Sequence, residues 1–509
     1  MMDDDKLWIG TRNGSADTIV VAADADKDSE FEADAATLGA FSIVSSECEE
    51  SDFNASKNED DVGATTEVPR FASGAAIAAH ALNGGLRSWI LAFGLRGGVS
   101  LLLSLLKVAK GRESLRTALS KCLEATVFRF ANMVGAFAFA WKLLGNYARL
   151  HCLNRNDGKL SPWQQRLIPF GAGFAAGLAV LFESYENRVA VMQQFGVRAL
   201  QASYNGLKSR NLFSFAHGDT LLFSLACGSI MYAYVMQPDT IPKEYNNWII
   251  QTARVSRESL ALSRQNNRRI EVPAKHAPVS FDAIYDCVNQ QGGPNALTAL
   301  QHTSDYYARA LREDGTVPVV PCSVIHPTDC NCATYNAALA WKVLRGIAPV
   351  YATLNFVPML LLKTRALLAD PVGLVGKGVR NTLVSSAFLS VYVVVYMIGI
   401  CAVRGLIVRG VLKQDHKGWY YVLGCLASGT SILCEKKARR AELAMYVLPK
   451  GLQSLFMVMQ RRKLVRHLPG SETFLSCLSF GVLMSFYQVE PEALSPLLVR
   501  IMDKVVGRF

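Results

Sequence analysis

Charge is what this sequence has least of. Asp, Glu, Lys and Arg make up 19% of its 509 residues, against about 25% in soluble domains, which argues against an ordinary soluble enzyme. Motifs of catalysis are missing too: no HExxH pattern, no phosphate-cradling glycine loop, nothing resembling a catalytic triad. No catalytic residue is assigned, and a non-enzyme is expected. The start lacks the basic and apolar stretches of a secretory leader and the Arg-rich, acid-poor character of a mitochondrial presequence. Gly507, Arg508 and Phe509 do not form the peroxisomal matrix tripeptide, so any organelle address is expected to be internal. With no secretory signal, the twelve cysteines read as reduced thiols rather than a disulfide framework.

What charge there is falls unevenly. Residues 1 to 69 hold 18 acidic and 4 basic side chains, leaving 24 acidic and 49 basic in the rest. The acidic stretch is rich in Asp, Ser, Ala and Asn and shows no sustained apolar periodicity. It cannot bury enough surface to offset its ordering entropy, so residues 1–70 read as a disordered acidic tail that could dock a protein partner.

Beyond the tail, apolar stretches run over 167–182, 220–242, 346–362, 382–403, 418–434 and 473–489, free of Asp, Glu, Lys and Arg but for Asp239. A membrane-spanning helix needs about 20 apolar residues, and the stretch from Thr382 to Val403 meets that outright. Two more, 88–106 and 125–141, each contain one arginine, Arg96 and Arg129. Such a residue is tolerated at depth only where it faces protein or water. Membrane lipid is therefore the expected surrounding, and no nucleic-acid partner is expected. Val189–Leu207 and Ala441–Gln460 are amphipathic, able to lie in the interface or to cross with a polar face turned inward.

The chain also matches itself. At an offset of 252, Gly177 meets Gly429, Glu183 meets Glu435, Arg188 meets Arg440 and Gln201 meets Gln453; at 253, Thr220 meets Thr473, Gly228 meets Gly481, Met231 meets Met484 and Pro238 meets Pro491. Identities at Gly, Pro and ionisable positions are not explained by shared hydrophobicity. The fold expected is an all-α membrane protein of two homologous helical bundles, residues 75–251 and 336–509. A polar basic linker, 252–320, and a Cys-rich segment, 321–335, join them. If the amphipathic stretch stays at the surface the repeats are parallel, the preferred reading; if it crosses they are inverted.

Several residues are singled out by these patterns. Gly173 and Gly177, with Gly424 and Gly429 in the second half, have the spacing that lets helix backbones approach closely. Glu183 and Arg188, and their counterparts Glu435 and Arg440, are candidates for a polar cluster within the membrane or at its edge. Asp219 and Glu472, at the start of each half's last segment, suit helix capping or the helix dipole. The densest constellation is CSVIHPTDCNC, which places Cys322, His326, Cys330 and Cys332 within eleven residues. These are donors of the kind zinc takes, though their spacing is not that of a standard finger, and packed thiols before a membrane segment are the plainer reading.

Three features together resemble the transmembrane protein 135 family of peroxisomal and mitochondrial membranes. They are His217-Gly218-Asp219-Thr220 leading an apolar segment to Met236-Gln237-Pro238, the Glu183 segment feeding a basic amphipathic helix, and the Cys322/His326/Pro327/Cys330 segment. The similarity spans about residues 75–250 and 320–500. It implies similarity to the mitochondrial inner-membrane import-channel family and a role in mitochondrial dynamics, peroxisome function and lipid or sterol handling. No catalytic residues come with it. Two other functions stay open, a solute pore lined by Glu183, Arg188, Glu435 and Arg440, and an import-like or tethering scaffold that uses the tail.

Overall fold

The structure is a computed structural model, which describes residues 73–509 apart from 110–113, 157, 293–294, 315–316, 330, 363 and 467. The acidic tail and Cys330 thus lie outside the described residues. Among those described, every regular element is helical.

The first half comprises α1 (Gly74–Ala109), α2 (Leu115–Lys121), α3 (Ala125–Arg155), α4 (Pro162–Ala176), α5 (Tyr185–Ser209) and α6 (Gly218–Met236). Then come α7 (Lys243–Ala253), α8 (Arg257–Glu271), α9 (Phe281–Gln291), α10 (Ala296–Asp314) and the single turn α11 (Cys322–Ile325). The second half has α12 (Cys332–Leu362), α13 (Thr364–Ala369), α14 (Pro371–Val408), α15 (Gly418–Ser431), α16 (Lys437–Arg461), α17 (Ser471–Val489) and α18 (Pro496–Val505). Local chemistry sets several of these starts. Ser161 and Gln164 form a capping box ahead of Pro162 at the first position of α4, and Asp370 accepts from Gly373 N with Pro371 opening α14. Ser256 and Ser280 cap α8 and α9 in the same way.

One order of elements occurs twice. α4 tightens into the 3-10 turn Gly177–Phe182 and α15 into Ile432–Cys434. Both chains then become extended at a glutamate, Glu183 (φ −84, ψ 158) and Glu435 (φ −89, ψ 152). Each next helix, α5 or α16, has 25 residues, and each helix after that, α6 or α17, has 19. A left-handed residue precedes the latter pair, His217 or Gly470, and a proline-led 3-10 turn follows it, Pro238–Thr240 or Pro491–Ala493.

The packed bodies are not the sequence halves. One apolar core joins Met133, Phe137 and Trp141 of α3, Ala172 and Ala176 of α4 and Ala199 and Ala202 of α5 to Phe480, Leu483, Met484 and Tyr487 of α17. The other joins Phe223, Ile230 and Met231 of α6 to Val343 and Ile347 of α12, Phe388 and Tyr396 of α14, Ala427 of α15 and Ala444 of α16. Each half therefore sends its last long helix into the other half's bundle. Segments 75–251 and 336–509, expected as two separate bundles, interlock. The amphipathic α5 packs against α17 and α16 against α6, and Arg198 of α5 donates to Glu442 Oε2 of α16 at 2.7 Å.

Among the described residues, four stretches are long and apolar enough to cross a membrane: Leu115–Arg155, Pro162–Phe182, Gly218–Met236 and Pro371–Val408. They contain the apolar runs expected at 125–141, 167–182 and 382–403, and cover 220–236 of the run expected at 220–242. Those at 88–106, 346–362, 418–434 and 473–489 also fall in helices, α1, α12, α15 with its 3-10 turn, and α17, without joining that set.

The segment expected as a polar linker folds. α8, α9 and α10 are amphipathic and close over a third core of Leu262, Ile284, Val288, Ala299, Val319 and Val324, which Ile407 of α14 completes. A buried polar network pins this layer down. Arg404 donates to Val320 O at 2.6 Å and Ser263 Oγ at 3.0 Å, while Asp415 Oδ2 accepts from Asn267 and Tyr420, both at 2.8 Å. Full pairing is what lets such groups sit out of water.

Candidate functional site: an apolar chamber beside a thiol–imidazole cluster

The four glycines lie where backbones meet. A Cβ on Gly173 would stand 2.7 Å from Met484 Cβ, and one on Gly177 the same distance from Cys477 Cα. On Gly424 it would come within 2.8 Å of Met231 Cβ, and on Gly429 within 3.0 Å of Ser224 Oγ. Met231 and Met484 are the residues paired by the sequence repeat, so the exchanged helices dock through the same contact on both sides. Gly228 and Gly481 repeat the arrangement against Cys425 and Phe170.

Glu183 and Glu435 are buried, at 4% and 3% exposure, but their arginines do not pair with their carboxylates. Arg188 Nε donates to Glu183 O and Arg440 Nε to Glu435 O, both at 2.9 Å, and their Nη2 atoms reach Leu181 O and Leu433 O. These guanidiniums satisfy carbonyls freed where the 3-10 turn ends. The carboxylate partners are residues that the pattern did not single out. Asn187 Nδ2 donates to Glu183 Oε2 at 2.9 Å, and Arg439 Nη1 lies 3.6 Å from Glu435 Oε2 while donating to Ser385 Oγ at 2.7 Å. Spacing of four residues after each glutamate was the available signal. Each cluster thus finds these partners within its own half.

Asp219 and Glu472 sit in the first turns of α6 and α17, where a carboxylate complements the helix dipole. Neither is the cap residue. His217 and Gly470 hold that position without a side-chain hydrogen bond, because a left-handed residue turns the chain into the helix.

A chamber of about 1030 Å³ lies against the second core. Its walls come from both halves: Phe223, Ile230 and Tyr234 of α6, Tyr245 and Trp248 of α7, Leu260 of α8, Ile347 and Tyr351 of α12, Phe388, Tyr392, Val393 and Tyr396 of α14, and Leu443 and Tyr446 of α16. The lining is aromatic and aliphatic with few polar points, the composition of small-molecule sites. Two of those points are unspent. Tyr234 and Tyr396 are 2% and 5% exposed, and neither hydroxyl has a hydrogen-bond partner. Buried hydroxyls normally find one. Sequence reasoning missed the chamber because its tyrosines are spread over six helices whose packing the pattern does not specify.

Beside it lies the Cys-rich segment. Cys322 of α11, His326 after it, Cys332 at the start of α12 and Cys401 of α14 place their ligand atoms within 4.8 Å of one another. Cys401, not anticipated from spacing, stands with the expected Cys322, His326 and Cys332. His326 Nε2 is 3.5 Å from Cys332 Sγ and 3.8 Å from Cys401 Sγ. Nδ1 lies 2.7 Å from Asp329 O, and Tyr335 stacks on the ring at 4.3 Å. Burial disfavours the imidazolium, yet the hydrogen bonds to the Cys401 sulfur and the Asp329 carbonyl outweigh it and raise the pKa to about 9. This set of donors could hold a metal ion.

No family model, curated protein or solved structure matches the chain. The described residues form an all-helical fold that includes four helical stretches long and apolar enough to cross a membrane.

Proposed function

We propose that this is a non-enzymatic multi-pass membrane protein that holds a lipid or sterol in the chamber between its interlocked halves. The observation that carries the reading is the chamber itself: about 1030 Å³ of mostly apolar wall, with the partnerless hydroxyls of Tyr234 and Tyr396 available to a ligand that ends in a hydroxyl or carbonyl. That volume is at the upper end of ordinary ligand sites, which run to about 1,000 Å³. Residence in mitochondrial or peroxisomal membranes, with a part in their organisation, is what the family resemblance implies and what we propose. The twice-used element order supports an origin by internal duplication, since lengths, 3-10 turns and arginine–carbonyl bonds recur at matched positions.

The test is binding and exchange by the full chain purified in detergent and placed in vesicles. A fluorescent sterol should bind saturably and move between vesicles faster than in protein-free controls. Val393→Trp, which fills the chamber, should abolish binding, and Tyr234→Phe with Tyr396→Phe should weaken it several-fold while leaving thermal stability unchanged. Sterol and phospholipid transfer no faster than in empty vesicles would reject the proposal.

A further inference from the structure

We propose that Cys322, His326, Cys332 and Cys401 form a closed, four-coordinate structural zinc site that ties the helical linker layer to the long apolar helix α14. The first support is geometric. A tetrahedral Zn²⁺ with bonds of about 2.3 Å to sulfur and 2.0–2.1 Å to nitrogen requires ligand separations of roughly 3.8 Å between sulfurs and 3.6 Å between sulfur and nitrogen. The imidazole stands 3.5 and 3.8 Å from two of the sulfurs, and all four ligand atoms fall within 4.8 Å of one another. Small side-chain adjustments close the remaining difference.

The second support is the surrounding shell. Metal-bound histidines donate their other ring N–H to a carbonyl or carboxylate, fixing the ring and directing the free nitrogen at the ion. Here Nδ1 donates to Asp329 O, which leaves Nε2 directed at the thiols. Tyr335 holds the ring plane by stacking, and Asn336 Nδ2 reaches Cys401 Sγ at 3.8 Å. An imidazole with 2% exposure whose inward nitrogen meets only sulfur is poorly satisfied as plain core. As a zinc ligand it is fully used. Three thiolates and one imidazole are also the donor set zinc accepts in structural sites, leaving no open position for chemistry.

The binding step balances without a redox partner. Each of the three Sγ–H bonds loses its proton to solvent, any proton on His326 Nε2 leaves likewise, and three Zn–S bonds and one Zn–N bond form. The ligands come from α11, the turn after it, the start of α12 and α14. The ion therefore clamps the chain just where Ile325 and Ile400 contribute to the chamber wall.

Zinc content of the full chain, purified in detergent without chelator, tests this independently of lipid binding. We expect about one zinc per chain, reduced at least fivefold in Cys332→Ser and in Cys401→Ser but unchanged in Cys434→Ser, whose cysteine is exposed elsewhere. Should the first two variants not fold, the wild-type chain still decides. Maleimide labelling mapped by peptide mass should spare Cys322, Cys332 and Cys401 until a chelator is added, and re-addition of Zn²⁺ alone should restore protection. A metal-free protein that fails to take up added Zn²⁺, zinc retained in full by a folded Cys401→Ser, or a disulfide among these three cysteines in the purified protein would each overturn the proposal.

Discussion

Gly173 and Met484 meet so closely that a methyl group on the glycine would stand 2.7 Å from the methionine Cβ and 2.9 Å from Phe480 O. The contact joins α4 of one half to α17 of the other, and backbone on its far side cannot yield. Gly173→Ala should therefore destabilise the folded protein by about 1–3 kcal/mol, the usual penalty for overpacking a filled core. Gly171→Ala, two residues away on the same helix with nothing within 4 Å, should be neutral or slightly stabilising. Thermal unfolding in one detergent compares the two directly. Equal melting temperatures would show that α4 and α17 are not pressed together.

Arg404 holds the linker layer. It is 4% exposed and donates to Val320 O and Ser263 Oγ. Arg404→Met would strand both acceptors and remove the cation facing Asp415. The expected loss is about 3–5 kcal/mol, typical of breaking one side of a buried charged network. Limited proteolysis should then cut between residues 252 and 320 well before the apolar helices, whereas the wild-type chain resists there.

Glu490 ends α17 between Arg210 and Arg166, both of which donate to its carboxylate. Partial burial raises its pKa, but hydrogen bonds from Arg210 and Arg166 outweigh this and leave it below the ordinary value of 4.5. A group depressed in the folded state stabilises above its unfolded pKa and loses that contribution as pH falls through the folded value. Stability should thus decline below about pH 4.5 with a component that Glu490→Gln removes. At neutral pH the same variant should cost about 0.5–1 kcal/mol, as expected for a half-exposed pair.

Much of this was legible in the residues and some was not. The apolar runs located the helices, because burying an uncharged segment leaves a compositional mark. Gly173, Gly177, Gly424 and Gly429 stood out by spacing, because close backbone approach admits only the smallest side chains. The repeat offset identified Met231 and Met484 as equivalent but could not show that each packs against the opposite half, since a one-dimensional match carries no information about which surfaces meet. Glu183 and Arg188 were read as members of a polar cluster, but their separate partners were not legible: the guanidinium meets bare carbonyls at the turn and the carboxylate meets Asn187. Cys401 was invisible for a similar reason: it lies 69 residues beyond Cys332 within an apolar run, and only the folding of α14 against the Cys-rich turn brings it near. The linker's amphipathic helices were hidden by their polar faces, basic in α8, acidic in α9 and mixed in α10, which lowered mean hydropathy while Ile284 and Val288 kept a helical spacing on α9.

The exchange of α6 and α17 sets an order of events during synthesis. α6 is complete at Met236, but α15, whose Gly424 receives it, begins only at Gly418. At a synthesis rate of about 5–20 residues per second, the interval lasts roughly 10–40 s. For that time the Met231 face has no mate, and neither half can finish on its own. The nascent first half must be sheltered, by bilayer or chaperone, until the second arrives to complete it.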